Sequence, residues 1–207
     1  MSRYTGPRLK IMRALGTHLP GLSRKSMERK PYPPGHTAAL KNRRPAKKST
    51  YGLQLQEKQK LRFNYGLTEN QMRRLVAKAF RKKGPPGENI LSALESRLDN
   101  AIFRAGFAPT IPAARQMVLH GHVLLNNKKV NIRSISVKAG DILSVRDKVT
   151  SSSHFTSSWE KPSLIMPIWL DRDLDSKTAK IIANPNHETV PFAVDTSAVV
   201  EFYSRVL

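Results

Sequence analysis

The chain contains no cysteine, only 15 acidic residues and no long apolar run. Without thiols it can form neither disulfides nor thiolate zinc sites. No apolar segment approaches the roughly 20 residues that a membrane-spanning helix needs. No basic start is followed by an apolar segment of the kind that defines a secretory signal. The sequence therefore predicts a protein without membrane spans and without a secretory signal.

Positive charge dominates the N-terminal part of the chain. The 36 basic residues leave a formal net charge of +21. Residues 1–90 carry +18, residues 91–150 carry +5 and residues 151–207 carry −2. Such a charge opposes compaction of the free chain and favours a polyanionic partner, because neutralised phosphates release counterions. The basic segments offer a membrane surface no large apolar face, so nucleic acid is the expected partner.

Charge and turn residues indicate three regions. Residues 1–50 hold 13 basic residues against Glu28, with the turn-rich pieces LPG, YPPG and RRPAKK. Such a segment cannot bury enough apolar surface to order itself alone, so we interpret it as a basic arm that threads along RNA. Residues 51–95 with 151–207 are predicted to form a mainly helical domain, into which residues 96–150 are inserted.

The predicted helical domain carries local start and stop signals. Thr68 and Gln71 match a capping box. Apolar positions within residues 72–80 follow at helical spacing, with basic residues on the other faces. The run Gly84-Pro85-Pro86-Gly87 should end that helix. The piece TSSSHFTSSW, residues 150–159, is interpreted as a serine-rich connector.

Two apolar pieces near the C-terminus, IMPIWLDRD and AVVEFYSRVL, are expected to pack onto the helical domain. Large aromatic side chains supply much apolar area to a protein core. The charge around them is not basic, so we interpret the large aromatic residues of this region as core and not as a stacking surface for bases: Trp159, Trp169, Phe202 and Tyr203.

Apolar residues within residues 91–105 recur at spacings of three and four, which predicts one amphipathic helix. They are Leu91, Leu94, Leu98, Ile102 and Ala105. Arg97 and Arg104 are seven residues apart, so they are expected to share another face. Gly106 can end this helix in the left-handed conformation, and Thr110 can cap the next one.

The second helix is predicted to end at Gly121 and to leave Arg115 available to a partner. A β-hairpin should follow, with strands Val123–Leu125 and Lys128–Val130, because the asparagines between them accept the positive φ of a tight turn. A further strand is predicted at Ile142–Val145. The region therefore has two helices followed by a hairpin-rich sheet, a small α+β domain.

This helix pair is suited to folded RNA. A-form RNA hides its base edges, so proteins mostly recognise its shape, phosphates and 2′-hydroxyls. A rigid pair of helices that carries arginine fits the task, because a guanidinium group can bind phosphate in bidentate fashion. The alternative is a small core with ordinary solvated lysines and arginines. The order of the elements favours RNA binding.

The stretch RLDNAIFRAGFAPTIPAARQMVLHGHV resembles the small RNA-binding domain named after small-subunit ribosomal protein four. Further blocks extend the resemblance over nearly the whole chain: SRYTGPRLKIMRALG, LPGLSRK, RKPYPPG, YGLQLQEKQKLRFNYGLTENQ, PIWLD and VVEFYSR. In this order they resemble the bacterial-type family of that protein, the universal small-subunit protein four family.

The resemblance implies a two-domain protein that binds the 5′ domain of the small-subunit ribosomal RNA. It also implies an early role in assembling the subunit body, a place near small-subunit ribosomal protein five and other ribosomal proteins, and an influence on decoding accuracy. We therefore expect a structural component of the small ribosomal subunit. It should have no enzymatic activity, no small-molecule substrate and no membrane partner.

The chain departs from that family in three places. Many bacterial members hold zinc with cysteines in the arm, but this chain has none, so we expect no metal and no other cofactor. The usual PPGQHG is PPGHTA here and loses its second glycine. The hairpin turn is Asn126-Asn127 where the family commonly has asparagine-glycine, which should cost some turn stability.

Thirteen basic residues are expected to contact RNA, most of them as phosphate clamps, with His120 hydrogen bonding or stacking. They are Arg3, Arg8, Arg13, Arg43, Arg44, Lys47, Lys48, Arg62, Arg97, Arg104, Arg115, His120 and Lys128. The protein is expected in the cytoplasm as part of the ribosome, or in an organellar ribosome if an organelle encodes it.

Two alternative functions use the same small domain. The sequence around Asp99 resembles the RLD of pseudouridine synthases, in which the aspartate is the nucleophile, so an RNA-modifying enzyme would depend on that residue. The large catalytic domain of those enzymes has no counterpart here, which argues against catalysis. A transient RNA-binding assembly factor is the second alternative.

Two apparent metal motifs are incomplete. Asp171, Asp173 and Asp175 alternate like the start of a calcium loop, but the glycine and glutamate that such a loop needs at positions six and twelve are absent. His120 and His122 have no third ligand in view. Neither motif is expected to bind a metal.

Overall fold

The computed structural model describes residues 4–35 and 48–206. The fold is mixed α+β, as predicted. The helices are α1 Arg8–Leu15, α2 Thr50–Asn64, α3 Glu69–Phe80, α4 Pro86–Glu95, α5 Leu98–Arg104, α6 Ile111–Leu119, α7 Asp147–Thr150, α8 Ser153–Glu160 and α9 Thr196–Ser204. The strands are β1 Val123–Leu125, β2 Lys128–Val130, β3 Ile142–Val145, β4 Leu170–Asp173 and β5 Thr178–Ile181, and a short 3-10 turn covers His187–Thr189.

The chain forms two compact units, which divide it differently from the predicted domains. The first unit contains the residues up to Gly87 together with those from Phe192 onward, and the second contains Glu88–Pro191. Residues 151–191 therefore lie with the small domain and not with the helical one. The reason is strand pairing, because β5 adds to β3 in the same sheet.

The described part of the basic arm is ordered against the first unit. Met12 of α1 forms a buried apolar cluster with Leu19 and Leu22. Phe63 and Phe192 pack against this cluster. The prediction that this segment cannot order itself alone rested on its charge. A few apolar side chains are enough for order here because other parts of the unit cover them.

Helices α2, α3 and α9 form the rest of the first unit. The predicted capping box is confirmed, since the Gln71 N–H donates to the Thr68 hydroxyl and the Gln71 side chain accepts from the Thr68 N–H. Buried Tyr203 of α9 donates its hydroxyl proton to Glu69 of α3 over 2.9 Å. The predicted packing of AVVEFYSRVL onto the helical domain is thus confirmed.

The second unit contains a five-stranded antiparallel sheet with the order β2-β1-β3-β5-β4. The predicted hairpin and third strand are confirmed. Asn126 and Asn127 take φ values of 50° and 63° between β1 and β2, as a tight primed turn requires. The piece IMPIWLDRD was predicted to belong with the helical domain, but its end forms β4 of this sheet, so it belongs to the second unit.

Residues 150–159 are not the predicted connector. They enter α8, whose buried Phe155 and Trp159 stack with Phe107. The centroids of Phe107 and Trp159 are 5.0 Å apart. The helix could not be predicted from apolar spacing, because only two large apolar residues mark its inward face and serine or threonine fills most other positions. All four aromatic residues that were predicted to be core are buried.

The predicted single helix across residues 91–105 is two helices. Helix α4 ends at Glu95 and α5 begins at Leu98, with Arg97 in extended conformation between them. Arg97 forms an antiparallel bridge with Ser136, and the Leu98 N–H donates to the carbonyl of Ile135 over 2.8 Å. The apolar spacing continues through the break, because the buried side of both helices faces the same core.

Candidate nucleic-acid interface

Helices α5 and α6 of the second unit bring one buried acid against several arginines. Gly106, at φ +83°, reverses the chain after α5. Thr110 then caps α6 by accepting a hydrogen bond from the Ala113 N–H. This short connection sets the two helices side by side, so that Arg115 of α6 reaches Asp99 of α5.

Asp99 is the centre of this arrangement and is 1% exposed. Its carboxylate accepts two hydrogen bonds from Arg97, at 3.0 Å from Nε and 2.9 Å from Nη2. It also accepts one from Nε of Arg115 at 2.8 Å and one from the backbone N–H of Asn100 at 3.0 Å. The carboxylate therefore accepts four hydrogen bonds from donors inside the protein.

A third arginine, Arg133, lies in a turn beside the same acid. The Asp99 N–H donates to the carbonyl of Arg133 over 3.2 Å, which fixes this segment beside α5. Burial lowers the pKa of the Arg133 guanidinium, the charges of Arg115 and Arg97 lower it further, and Asp99 raises it. Arginine still keeps its proton at neutral pH. Arg133 is half-buried.

We call Arg97, Arg115 and Arg133 around Asp99 the arginine cluster. Two guanidinium groups are hydrogen bonded to the carboxylate and the third acts on it electrostatically, which leaves the cluster with a net charge of +2. Sequence analysis missed Arg133 because it lies in a segment without periodicity. A basic residue shortly after the hairpin was the only signal.

Arg104 does not share a surface with Arg97, although their spacing predicted it. Arg104 is 5% exposed and donates from Nη2 to the carbonyl of Thr189 over 2.8 Å. Its Nε lies 3.7 Å from the carboxylate of Glu95, which is fully buried and accepts a hydrogen bond from Asn100. Because α4 and α5 are separate helices, Arg97 pairs with Asp99 while Arg104 lies beside Glu95. Arg104 is therefore an interior residue.

Two further predicted residues lie at one end of the second unit. His120 is exposed at the end of α6, and Lys128 is exposed at the start of β2. Both are open to a partner in solution. Lys128 is followed in β2 by exposed Lys129, which was not among the predicted contacts.

Three predicted residues of the first unit make intramolecular contacts as well. Arg8 is exposed and donates to the carbonyl of Leu22 over 3.4 Å. Arg13 donates to the carbonyl of Tyr32 over 3.0 Å and lies 5.1 Å from the centre of that ring. Exposed Lys48 hydrogen bonds to Gln56.

Arg62 of α2 is half-buried in the first unit. It donates to Gln59 over 3.2 Å, lies 3.8 Å from Glu69 and stacks on Phe63 at 5.1 Å. The remaining predicted contacts lie outside the described residues: Arg3, Arg43, Arg44 and Lys47.

The cationic face predicted for α3 is present. Met72, Val76 and Ala79 are buried. The basic residues around them are exposed: Arg73, Arg74, Lys78, Arg81 and Lys82. This helix offers a row of positive charge on the outside of the first unit.

The apparent calcium motif is a turn. Asp173 accepts hydrogen bonds from the backbone N–H groups of Asp175 and Ser176 and so closes the connection from β4 to β5. Within residues 4–35 and 48–206, no group of three or more histidines and acids is arranged to hold a metal ion. None of the helices in those ranges has the length and apolar character that crossing a membrane requires.

Comparison with known proteins gives two family models that together span most of the chain. Residues 3–95 match the model of the ribosomal protein S4/S9 N-terminal domain, and residues 96–143 match that of the S4 domain. The chain is 54% identical to small ribosomal subunit protein uS4 of Methylobacillus flagellatus, and the match covers the full length of both chains. It is 52% identical to protein uS4B of Nitrosomonas europaea and 48% identical to protein uS4 of Synechococcus elongatus, in each case over 99% of both chains.

Proposed function

Since the chain belongs to the small ribosomal subunit protein uS4 family, it is a structural, non-enzymatic component of the ribosome, and we propose that it binds the small-subunit ribosomal RNA directly. The arginine cluster is the observation that carries this proposal. Its side chains are positioned before RNA arrives, so little conformational entropy is lost on binding.

The chemistry of the cluster suits a phosphate group. Asp99 holds Arg97 and Arg115 by their hydrogen bonds, while Arg133 lies beside them with its charge only partly offset. Arginine offers several N–H donors in a planar fork, and phosphate accepts two of them at once. In this proposal Arg115 and Arg133 contact RNA, and Arg97 fixes the acid between them.

Other predicted contacts take supporting roles. The exposed residues Arg8, Lys48, His120 and Lys128 contact RNA phosphates or sugars. The predicted arm residues Arg3, Arg43, Arg44 and Lys47 do so as well. Arg13 and Arg62 contact RNA with the guanidinium edges that their internal partners leave open. Arg104 is assigned to the interior and not to RNA, because it is 5% exposed, donates to Thr189 and has its charge beside the buried carboxylate of Glu95.

The finer role follows from the family resemblance and the charge distribution. The protein binds the 5′ domain of the ribosomal RNA, begins assembly of the subunit body and supports decoding accuracy. It lies beside small-subunit ribosomal protein five and works in the cytoplasm. The net charge of +18 over residues 1–90 supports an extensive RNA contact on the arm, since phosphate neutralisation supplies most sequence-independent affinity.

Salt-dependent RNA binding tests the proposed interface. The full chain is titrated with the 5′ domain of small-subunit ribosomal RNA at several salt concentrations. Arg133→Ala should weaken binding and reduce the slope of log affinity against log salt by about 0.7 to 0.9, the share of one phosphate contact. Lys180→Ala, at an exposed position of β5, is the matched control and should retain the slope. If the salt slope of Arg133→Ala equals that of Lys180→Ala, Arg133 does not contact RNA.

A second experiment tests the ribosomal role in cells. Small subunits are washed at high salt and the chain is quantified in them. About one copy per subunit supports a permanent structural component. A chain that is stripped by salt or present in a small fraction of subunits supports the transient assembly factor instead.

A further inference from the structure

A second group of cations lies where three elements of the second unit meet, at the C-terminal end of α6. Gly121 follows the end of α6 and has a φ of +66°. The flanking rings of His120 and His122 lie 5.8 Å apart. The Arg146 N–H donates to the carbonyl of His122 over 3.0 Å, which brings the start of α7 to the same place.

Lys129 completes the group from the hairpin. Strand pairing places it opposite Leu124, and its side chain lies across Gly121. A Cβ atom built on Gly121 would be 2.3 Å from Cε of Lys129. Glycine therefore leaves room for the lysine side chain, whose positive charge acts on His122.

The charges that shift the pKa of His122 are all positive. Burial lowers the pKa of its imidazole, and His120, Arg146, Lys148 and Lys129 lower it further. Exposed Asp147 lies between Arg146 and Lys148 in the chain but does not offset this effect. His122 is therefore neutral at pH 7 in the free protein. Among the described residues, no ion pair joins Lys129, Arg146 or Lys148 to an acid.

We propose that this group is a second phosphate-binding site for RNA, at which binding is coupled to the uptake of one proton by His122. We call it the histidine site, and it consists of His120, His122, Lys129, Arg146 and Lys148. The proposal rests on the proposed RNA-binding function and adds a second subsite and a pH dependence to it.

The coupling follows from electrostatics. A phosphodiester carries one negative charge, and an opposite charge within a few ångströms favours the protonated form of an imidazole. Binding therefore raises the pKa of His122, and the imidazole takes a proton from solvent and donates its N–H to a phosphate oxygen. Affinity then increases as the pH falls from 8 toward 6. A base stacked on the histidine rings would cause no comparable proton uptake.

The test measures protons as well as affinity. The full chain and the 5′ domain of the ribosomal RNA are titrated by calorimetry at pH 6.5 in two buffers of different ionisation enthalpy, and affinity is measured from pH 6 to pH 8. We expect net proton uptake and an affinity on the order of threefold to tenfold higher at pH 6, since one pKa unit corresponds to a tenfold change.

Variants assign the proton. His122→Gln should bind with little proton uptake and a flatter pH profile. His154→Gln, an exposed histidine of α8, is the matched control and should keep the wild-type profile. A double variant, Arg146→Ala with Lys148→Ala, should lower the affinity and the salt slope, because two phosphate contacts are lost.

Direct titration covers the case in which a variant folds poorly. In the wild-type chain, the NMR signals of His122 should report a higher pKa with RNA bound than without it. RNA binding with no proton uptake and an unshifted His122 overturns the histidine site and leaves the proposed function intact. No RNA binding at any pH overturns both.

Discussion

The carboxylate of Asp99 lies 2.8 Å from Nε of Arg115, and this ion pair joins α5 to α6 inside the second unit. The acid is 1% exposed and the Arg115 side chain 14% exposed. Sequence analysis weighed Asp99 as a nucleophile because of its RLD context. The structure gives its oxygens to Arg97, Arg115 and a backbone N–H instead, so the acid orients cations and holds two helices together.

Removing that acid should destabilise the second unit strongly. Asp99→Asn leaves the guanidinium groups of the cluster without a countercharge, and breaking a buried ion pair costs about 3 to 5 kcal/mol. Urea denaturation followed by circular dichroism measures this loss. Asp171→Asn, at an exposed position of β4, should change the free energy of unfolding by less than about 0.5 kcal/mol. A similar small effect of Asp99→Asn would contradict the role assigned to the cluster.

Arg104→Ala should damage folding without changing the electrostatics of RNA binding. The substitution leaves fully buried Glu95 without its cationic partner, so we expect a loss of about 3 kcal/mol in the free energy of unfolding. Under conditions where the variant is folded, the salt slope of RNA binding should equal that of the wild type. A lower slope would return Arg104 to the RNA interface, where its sequence spacing had suggested it.

Tyr203→Phe should reduce the stability of the first unit in a pH-dependent manner. Burial acts to raise the pKa of Glu69, but hydrogen bonds from Lys58 and Tyr203 overcome it and leave that pKa below its ordinary value of 4.5. A lowered pKa contributes stability above the unfolded value, and this contribution disappears as the pH falls through the folded value. The loss in Tyr203→Phe should therefore be about 1 kcal/mol at pH 7, since Glu69 is partly exposed, and smaller below pH 4.

Urea denaturation at pH 7 and pH 3.5 measures this difference. Tyr51→Phe is the matched control, because Tyr51 is 57% exposed and contacts Phe202 through its ring. A loss for Tyr203→Phe that is equal at both pH values would show that its hydroxyl does not act through the charge of Glu69.

Asn127→Gly should stabilise the hairpin. Asn127 has a φ of 63° in the turn, and glycine takes this conformation without the steric cost that other residues meet. The neighbouring Asn126 is fixed by hydrogen bonds to Asp141 and Ile142 and should be left in place. We expect the free energy of unfolding, measured by thermal denaturation, to rise by about 0.5 kcal/mol in this variant and to fall by about 1 kcal/mol in Asn127→Ala. Destabilisation by glycine would mean that the Asn127 side chain contributes to the turn.

Local signals in the sequence predicted much of the fold. The Thr68–Gln71 capping box, the end of α5 at Gly106, the cap at Thr110 and the Asn126-Asn127 hairpin are all confirmed. Each depends on contacts between residues that are close in the chain, so the residue types alone are enough to specify it. The family resemblance is confirmed for the same reason, since it rests on contiguous blocks of sequence.

The charge of the chain, its family, and the local starts and stops of most of its elements follow from the order of its residues alone. Three features appear only in the folded chain: α4 and α5 separate at Arg97, β4 and β5 join the small sheet, and Arg133 lies beside Asp99. These features depend on hydrogen bonds and ion pairs between segments far apart in the chain. A spacing pattern cannot show whether an arginine faces solvent or a buried acid, because both positions can lie on the same side of a helix.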